Sequence, residues 1–158
     1  MHATKLNVSQ MVAEALAMKV ARDDTGMLMA IQPAQSPVLP PGQDGAVREI
    51  ERHTGRIARY WMVNVMPPGV IVPVHTDTLP DLPDGRRERY SRWHLVLATN
   101  PGCKWWDAEN GELQMVAGHW YGPLPYWTEH SVSNTGNSTR IHLVVDLFEG
   151  TTDALLQA

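Results

Sequence analysis

The sequence predicts a mainly β fold, a sandwich or barrel of antiparallel strands behind one N-terminal helix. Three observations carry that prediction. From Arg56 onward, short alternating apolar runs follow one another at close spacing. Turn-forming groups punctuate them at Pro67-Pro68-Gly69, Asn110-Gly111 and Thr135-Gly136-Asn137-Ser138. Only one segment, near the N-terminus, holds apolar residues at helical spacing over more than two turns.

That segment is Ser9–Arg22. Ser9 can cap it, and Met11, Val12, Ala15, Leu16, Lys19 and Val20 form a stripe with Lys19 as its one polar member. Met27–Ile31 fits a short strand. Gln32–Gly45 contains Pro33, Pro37, Pro40, Pro41, Gly42 and Gly45 and reads as a loop, followed by a two-turn helix over Ala46–His53. Arg59–Met66 is a strand that Pro67-Pro68-Gly69 turns into Val70–His75. Thr78–Arg89, with Pro80, Pro83 and Gly85 among charges, reads as a polar loop long enough to act as a lid.

Tyr90–Thr99 is the next strand, with Arg92, His94, Val96 and Ala98 on one face and Trp93, Leu95, Leu97 and Thr99 on the other. Asn110-Gly111 joins Lys104–Trp106 to Glu112–Val116 as a hairpin. Thr135–Ser138 is expected to join His130–Asn134 to Arg140–Phe148 as a second hairpin. In the last strand Ile141, Leu143, Val145 and Leu147 alternate with Arg140, His142, Val144 and Asp146. A jelly-roll of the cupin type suits this pattern best. Residues 1–158 are expected to form a single domain, with 1–55 as an N-terminal helix and Pro-rich extension and 56–149 as the β core.

Composition narrows the function classes. Hydrophobic content of 43% and charged content of 19% describe an ordinary globular protein. A formal charge of −4 speaks against bulk electrostatic attraction to nucleic acid, so no nucleic-acid partner is expected. No 18-residue apolar stretch is available to span a membrane. The single Cys103 allows no internal disulfide, and no basic-then-apolar leader is seen, so a cytoplasmic location is expected. Five of the six Trp lie beyond residue 90, and they read mainly as core.

The chemistry concentrates at His75-Thr76-Asp77, which ends an apolar run. On an extended strand, residues i and i+2 point to one side, so an imidazole and a carboxylate share one space. With His130 they make up the 2-His-1-carboxylate set of a non-haem Fe(II) site. The alternatives are a solvated surface turn for His75 and Asp77 and a hydrogen-bonded core histidine for His130. Arg140 follows His130 by ten residues and is expected on a neighbouring strand, facing the interior if Ile141 faces away. A buried guanidinium is costly unless it meets an anion, and its planar fork suits a carboxylate. A strand-end ion pair with Asp146 or Glu129 is the other reading.

Three pieces in order, Pro68-Gly69 through His75-Thr76-Asp77, Arg92-Trp93-His94-Leu95, and His130 through Asn134, Arg140, Leu143 and Asp146, resemble the aspartyl/asparaginyl β-hydroxylase family. The similarity covers about Tyr60 to Phe148. It implies a double-stranded β-helix oxygenase that uses Fe(II), 2-oxoglutarate and O₂. By that resemblance His75, Asp77 and His130 become the metal ligands and catalytic centre. Arg140 would hold the distal carboxylate of 2-oxoglutarate, and Arg92 and His94 match positions near the co-substrate. Hydroxylation of a C–H bond in an amino-acid-like small molecule or a short peptide is the expected activity, with succinate and CO₂ as by-products. A non-redox metal cupin with isomerase or lyase chemistry and a small-ligand-binding cupin module are the alternatives.

Overall fold

In the computed structural model, residues 1–18, 21–22, 28–33, 39–77 and 82–153 are described. The chain runs through β1 (His2–Ala3), α1 (Val8–Ala17), β2 (Ala21–Arg22), β3 (Leu28–Pro33), α2 (Pro41–Thr54), β4 (Ala58–Met66) and β5 (Ile71–His75). It continues through β6 (Arg86–Ala98), β7 (Cys103–Asp107), β8 (Gly111–Leu113), β9 (His119–Leu124), β10 (His130–Asn134) and β11 (Arg140–Asp153). A seven-stranded sheet has the order β1-β9-β6-β11-β4-β3-β2, and a four-stranded sheet the order β5-β10-β7-β8. The two sheets form the antiparallel jelly-roll that the alternation predicts, the double-stranded β-helix that the family resemblance implies, with both helices on the outer face of the larger sheet.

Strand β11, at the centre of the larger sheet, shows how one sequence pattern builds two compartments. Ile141, Leu143, Val145 and Leu147 are buried with Met11 and Ala15 of α1 and Ala46, Val47 and Ile50 of α2, in the main hydrophobic core. Arg140, His142, Val144 and Asp146 point the other way, toward the smaller sheet, because side chains alternate across a strand. Val96, Trp105, Met115, Tyr121 and Leu124 form a second apolar cluster between the sheets.

Several boundaries differ from the sequence expectation. Helix α1 is capped by Asn7, whose Oδ1 accepts the Gln10 amide at 3.1 Å, so it starts before Ser9. It stops at Ala17 because Met18 turns extended, and Leu16, assigned to the buried stripe, is 62% exposed. Lys19 and Val20 lie outside the described residues. Helix α2 begins at Pro41 rather than Ala46. Proline suits the first helical turn, and the Glu14 carboxylate of α1 accepts the Gly42 and Gln43 amides at 2.9 and 3.0 Å. A Cβ on Gly42 would sit 2.8 Å from Glu14 Oε1, so glycine there admits the cap rather than breaking the helix.

The loop expected over Thr78–Arg89 is shorter than its composition suggests. Arg86–Arg89 belong to β6 and pair with Gly150–Asp153 of β11, and Leu82–Gly85 form a closed turn with Leu82 N–H donating to Arg86 O at 2.6 Å. Thr78–Asp81 lie outside the described residues. Strand β9 falls where the sequence reading placed no element, since Gly122 and Pro123 disguise a run whose Trp120 and Tyr121 are both buried.

The expected hairpin over Thr135–Ser138 is instead a corner. β10 belongs to the smaller sheet and β11 to the larger, so Arg140 is not on a strand neighbouring β10. Asn134, fully buried, sets this corner. Its Nδ2 donates to Met66 O at 2.9 Å and Ser138 O at 2.8 Å, and its Oδ1 accepts from Gly136 N. Its main chain also holds the β4–β5 corner, where Gly69, at φ 85°, donates to Asn134 O at 2.7 Å. Asn110-Gly111 does form the predicted hairpin, with Trp105 opposite Leu113 and Asp107 opposite Gly111.

Candidate metal centre

His75 ends β5 and His130 begins β10, and the two residues are paired in register across these strands. Their rings lie 4.4 Å apart. Asp77 follows two residues after His75, and its backbone N–H donates to Tyr126 O at 3.0 Å. His75 Nε2 lies 3.3 Å from Asp77 Oδ1, and His130 Nε2 lies 3.7 Å from Asp77 Oδ2. One donor atom from each of the three residues falls within 4.8 Å of the others.

The far sides of the two imidazoles decide their tautomers. His75 Nδ1 meets Pro73 O at 2.7 Å and His130 Nδ1 meets Thr128 O at 2.9 Å. A carbonyl only accepts, so each Nδ1 donates its proton to the main chain, which turns each Nε2 toward Asp77. This arrangement fits a cation held by two neutral imidazoles and a carboxylate. Trp105 stacks on His130, with centroids 5.1 Å apart and planes 12° from parallel. Its Nε1 donates to the buried Asp107 at 2.7 Å, which fixes the indole against the ring.

Arg92 reaches the triad from β6. Its Nε and Nη2 make two 2.8 Å bonds to the carboxylate of Asp146, its register partner on β11, and Nη1 donates to Asp77 Oδ2. Burial works against the Arg92 charge, but the hydrogen bonds and charge of Asp146, aided by Asp77, outweigh it and hold its pKa above the ordinary arginine value.

Deeper between the sheets lies a second polar group. Arg140 Nη2 donates to His142 Nδ1 at 2.9 Å, and His94 Nδ1 lies 3.1 Å from that same nitrogen. Because a guanidinium only donates, His142 Nδ1 is unprotonated and His94 Nδ1 bears the hydrogen. Burial, with Arg140 nearby, drives both histidines well below the usual imidazole range, so both are neutral. Arg140 is 2% exposed, its Nη1 has no hydrogen-bond partner, and burial lowers its pKa to about 10. Asp146, one expected ion-pair partner, is taken by Arg92. Among the described residues Arg140 makes no ion pair with a carboxylate, Glu129 included.

The structure thus gathers His75, Asp77 and His130 in one cluster, joins Arg92 to it through Asp77, and sets Arg140 and His94 in a second. Trp105 spans the two, stacked on His130 and edge-on to His94 at 5.4 Å. Sequence reasoning did not single out Asn64, which pairs with His142 in register and keeps its buried Oδ1 unpartnered. A lone amide in the apolar run Trp61-Met62-Val63-Asn64-Val65-Met66 was the available signal. Beyond Tyr126, whose ring lies 5.1 Å from the Arg92 guanidinium, a cleft of about 610 Å³ opens between Tyr90, Pro123 and Trp127.

A family model described as aspartyl/asparaginyl beta-hydroxylase matches residues 46–149. No curated protein matches the sequence. A prolyl-4-hydroxylase from Pseudomonas putida is similar in structure, with a TM-score of 0.66 and 18% identity over 94% of this chain and 91% of that one. The viral collagen prolyl hydroxylase of Paramecium bursaria Chlorella virus-1, in its 2OG complex, gives a TM-score of 0.62 and 10% identity over 90% of each chain. At these identities the likeness is one of fold.

Proposed function

Since the chain belongs to the aspartyl/asparaginyl β-hydroxylase family, we propose that it is an Fe(II)/2-oxoglutarate-dependent dioxygenase. In this reading it hydroxylates a C–H bond of an amino-acid-like small molecule or a peptide residue and releases succinate and CO₂. One observation carries the reading: a His-Asp-His cluster of metal-ligand geometry is joined, through Trp105 and the His94–His142 pair, to a buried arginine whose Nη1 lacks a partner. A non-redox metal site or a simple binding module has no evident use for that second feature.

His75 and His130 would bind Fe(II) through Nε2 and Asp77 through a carboxylate oxygen, three ligands that leave positions open for co-substrate and O₂. Fe(II) bound there, with 2-oxoglutarate as electron source, would supply the oxygen activation that the side chains cannot. The residues themselves bind, orient and exclude water. Arg140 would receive the distal carboxylate of 2-oxoglutarate on Nη1, while His142 keeps Nη2 occupied and so fixes the plane of the fork. His94, neutral and bonded to His142, would line the same chamber without adding charge. Arg92 borders the chamber from the Asp77 side. Trp105 keeps the His130 ring from turning and covers it with apolar surface.

The experiment is anaerobic addition of Fe(II) and then 2-oxoglutarate, followed by visible spectroscopy. A charge-transfer band is expected only when both are present, with succinate formed on admitting O₂. Absence of both signals at saturating concentrations would overturn the reading.

A further inference from the structure

The triad does not stand alone: its carboxylate is wired to a second, buried carboxylate on another sheet. Asp146 and Arg92 lie opposite each other on β11 and β6 and meet through two parallel bonds of 2.8 Å. The remaining arm of Arg92 holds Asp77 Oδ2, while the Asp77 amide is held by Tyr126 O. Asp77 Oδ1 is left facing His75 Nε2. Both Arg92 and Asp146 are largely buried, so their charges are poorly screened.

We propose that Asp146 is a positioning residue for Asp77 that acts through Arg92, neutralising the guanidinium so that it can hold one Asp77 oxygen without opposing a divalent cation. The inference rests on the reading of His75, Asp77 and His130 as metal ligands. Its physical content is a charge balance. With Asp146 present, Arg92 and its two carboxylates sum to one negative charge. Without it, the sum is zero, and Arg92 has no anion but Asp77, so it competes with the metal for the ligand carboxylate. An arginine alone could orient Asp77 only by weakening it. The fork geometry matters as well as the charge, because one guanidinium must serve both carboxylates at once.

The test measures Co(II) affinity by calorimetry, without co-substrate or turnover, with thermal unfolding as the control for folding. Asp146→Asn is expected to weaken Co(II) binding by about 10- to 100-fold, the range seen when groups that orient ligands are removed. Asp146→Glu should bind within a few-fold of the parent. The double variant Arg92→Gln with Asp146→Asn should bind Co(II) more tightly than Asp146→Asn alone, because the opposing charge has gone. A merely structural ion pair would lower the melting temperature yet leave Co(II) affinity unchanged. That result, or a double variant no tighter than Asp146→Asn, overturns the proposal. Should Asp146→Asn not fold, Arg92→Lys keeps the charge without the fork and must show a comparable loss; parental affinity there overturns it equally. Failure of the ligand reading looks different. His130→Ala would bind Co(II) as well as the parent, or the parent would not bind it, and the proposal would fall with that reading.

Discussion

Arg140→Met should stabilise the ligand-free protein while removing its response to 2-oxoglutarate. Burial lowers the Arg140 pKa from the ordinary arginine value to about 10, a gap equivalent to about 3 kcal/mol. The sign follows from the charged form being disfavoured in the fold. The cost is therefore present in full below about pH 10 and fades as pH rises toward the ordinary arginine value. Methionine fills the stem's space imperfectly, which returns about 1 kcal/mol. A net gain of about 1–2 kcal/mol raises the melting temperature by roughly 2–8 °C for a chain of this size. The assay is calorimetry at pH 7.5 in a buffer poor in small anions, with and without anaerobic Fe(II) and 2-oxoglutarate. At about 100 times its Kd the co-substrate adds about 2.7 kcal/mol to the parent. Loss of the charged partner costs about 2–5 kcal/mol of binding, enough to cut that gain to about 1 kcal/mol or less at the same concentration. Arg140→Lys keeps the charge but loses the planar fork that His142 orients, so it should show neither the stabilisation nor full binding. An unchanged gain from 2-oxoglutarate in Arg140→Met refutes the anchor. A lower melting temperature in the ligand-free variant refutes the unpaired-charge reasoning.

Three further outcomes are expected. Asp77→Ala should abolish turnover and weaken metal binding on the order of 100-fold or more, with the far-UV circular dichroism spectrum retained; full activity would mean a centre of two histidines suffices. Asn134→Ala should cost about 2–4 kcal/mol in urea unfolding, since it strips hydrogen bonds from Met66 O and Ser138 O at a buried corner; a cost under about 0.5 kcal/mol would show that the corner holds without it. His94 and His142 are held neutral, so unfolding takes up protons once pH drops below the ordinary imidazole value. Stability should be level above about pH 6.5 and fall by about 1 kcal/mol or more per pH unit beneath it, with a shallower fall in His142→Gln. Equal slopes in the two proteins would remove His142 from that account.

What was legible in the sequence was whatever period and spacing encode. The i, i+2 relation of His75 and Asp77 needs only an extended backbone, and the β11 alternation correctly divided core from interior. What depends on distant partners was hidden. The start of α2 at Pro41 is secured by Glu14, which is 28 residues from Gly42, and composition alone made that stretch a loop. Gly-containing turns at Asn110-Gly111 and Thr135–Ser138 look equivalent in sequence, yet one closes a hairpin and the other crosses between sheets. The difference lies in Asn134, whose amide ties the second turn to β4. The Arg92–Asp146 pair spans 54 residues and follows from β6 lying beside β11, a strand order that no alternation reveals. Arg140 reached the interior by a route other than the one expected, from the opposite sheet rather than from the neighbour of β10.

The division of β11 into two kinds of position bears on how such a protein can change over evolutionary time. Odd positions from Ile141 to Leu147 answer to the helices behind the sheet, and even positions from Arg140 to Asp146 answer to the chamber in front. Drift on one register need not be registered by the other, although the two interleave residue by residue. Lineages could remodel the reactive chamber by substituting every second residue while the helical backing keeps the sheet standing. A saturation library across β11, scored separately for abundance and for turnover, would then trace two combs offset by one tooth.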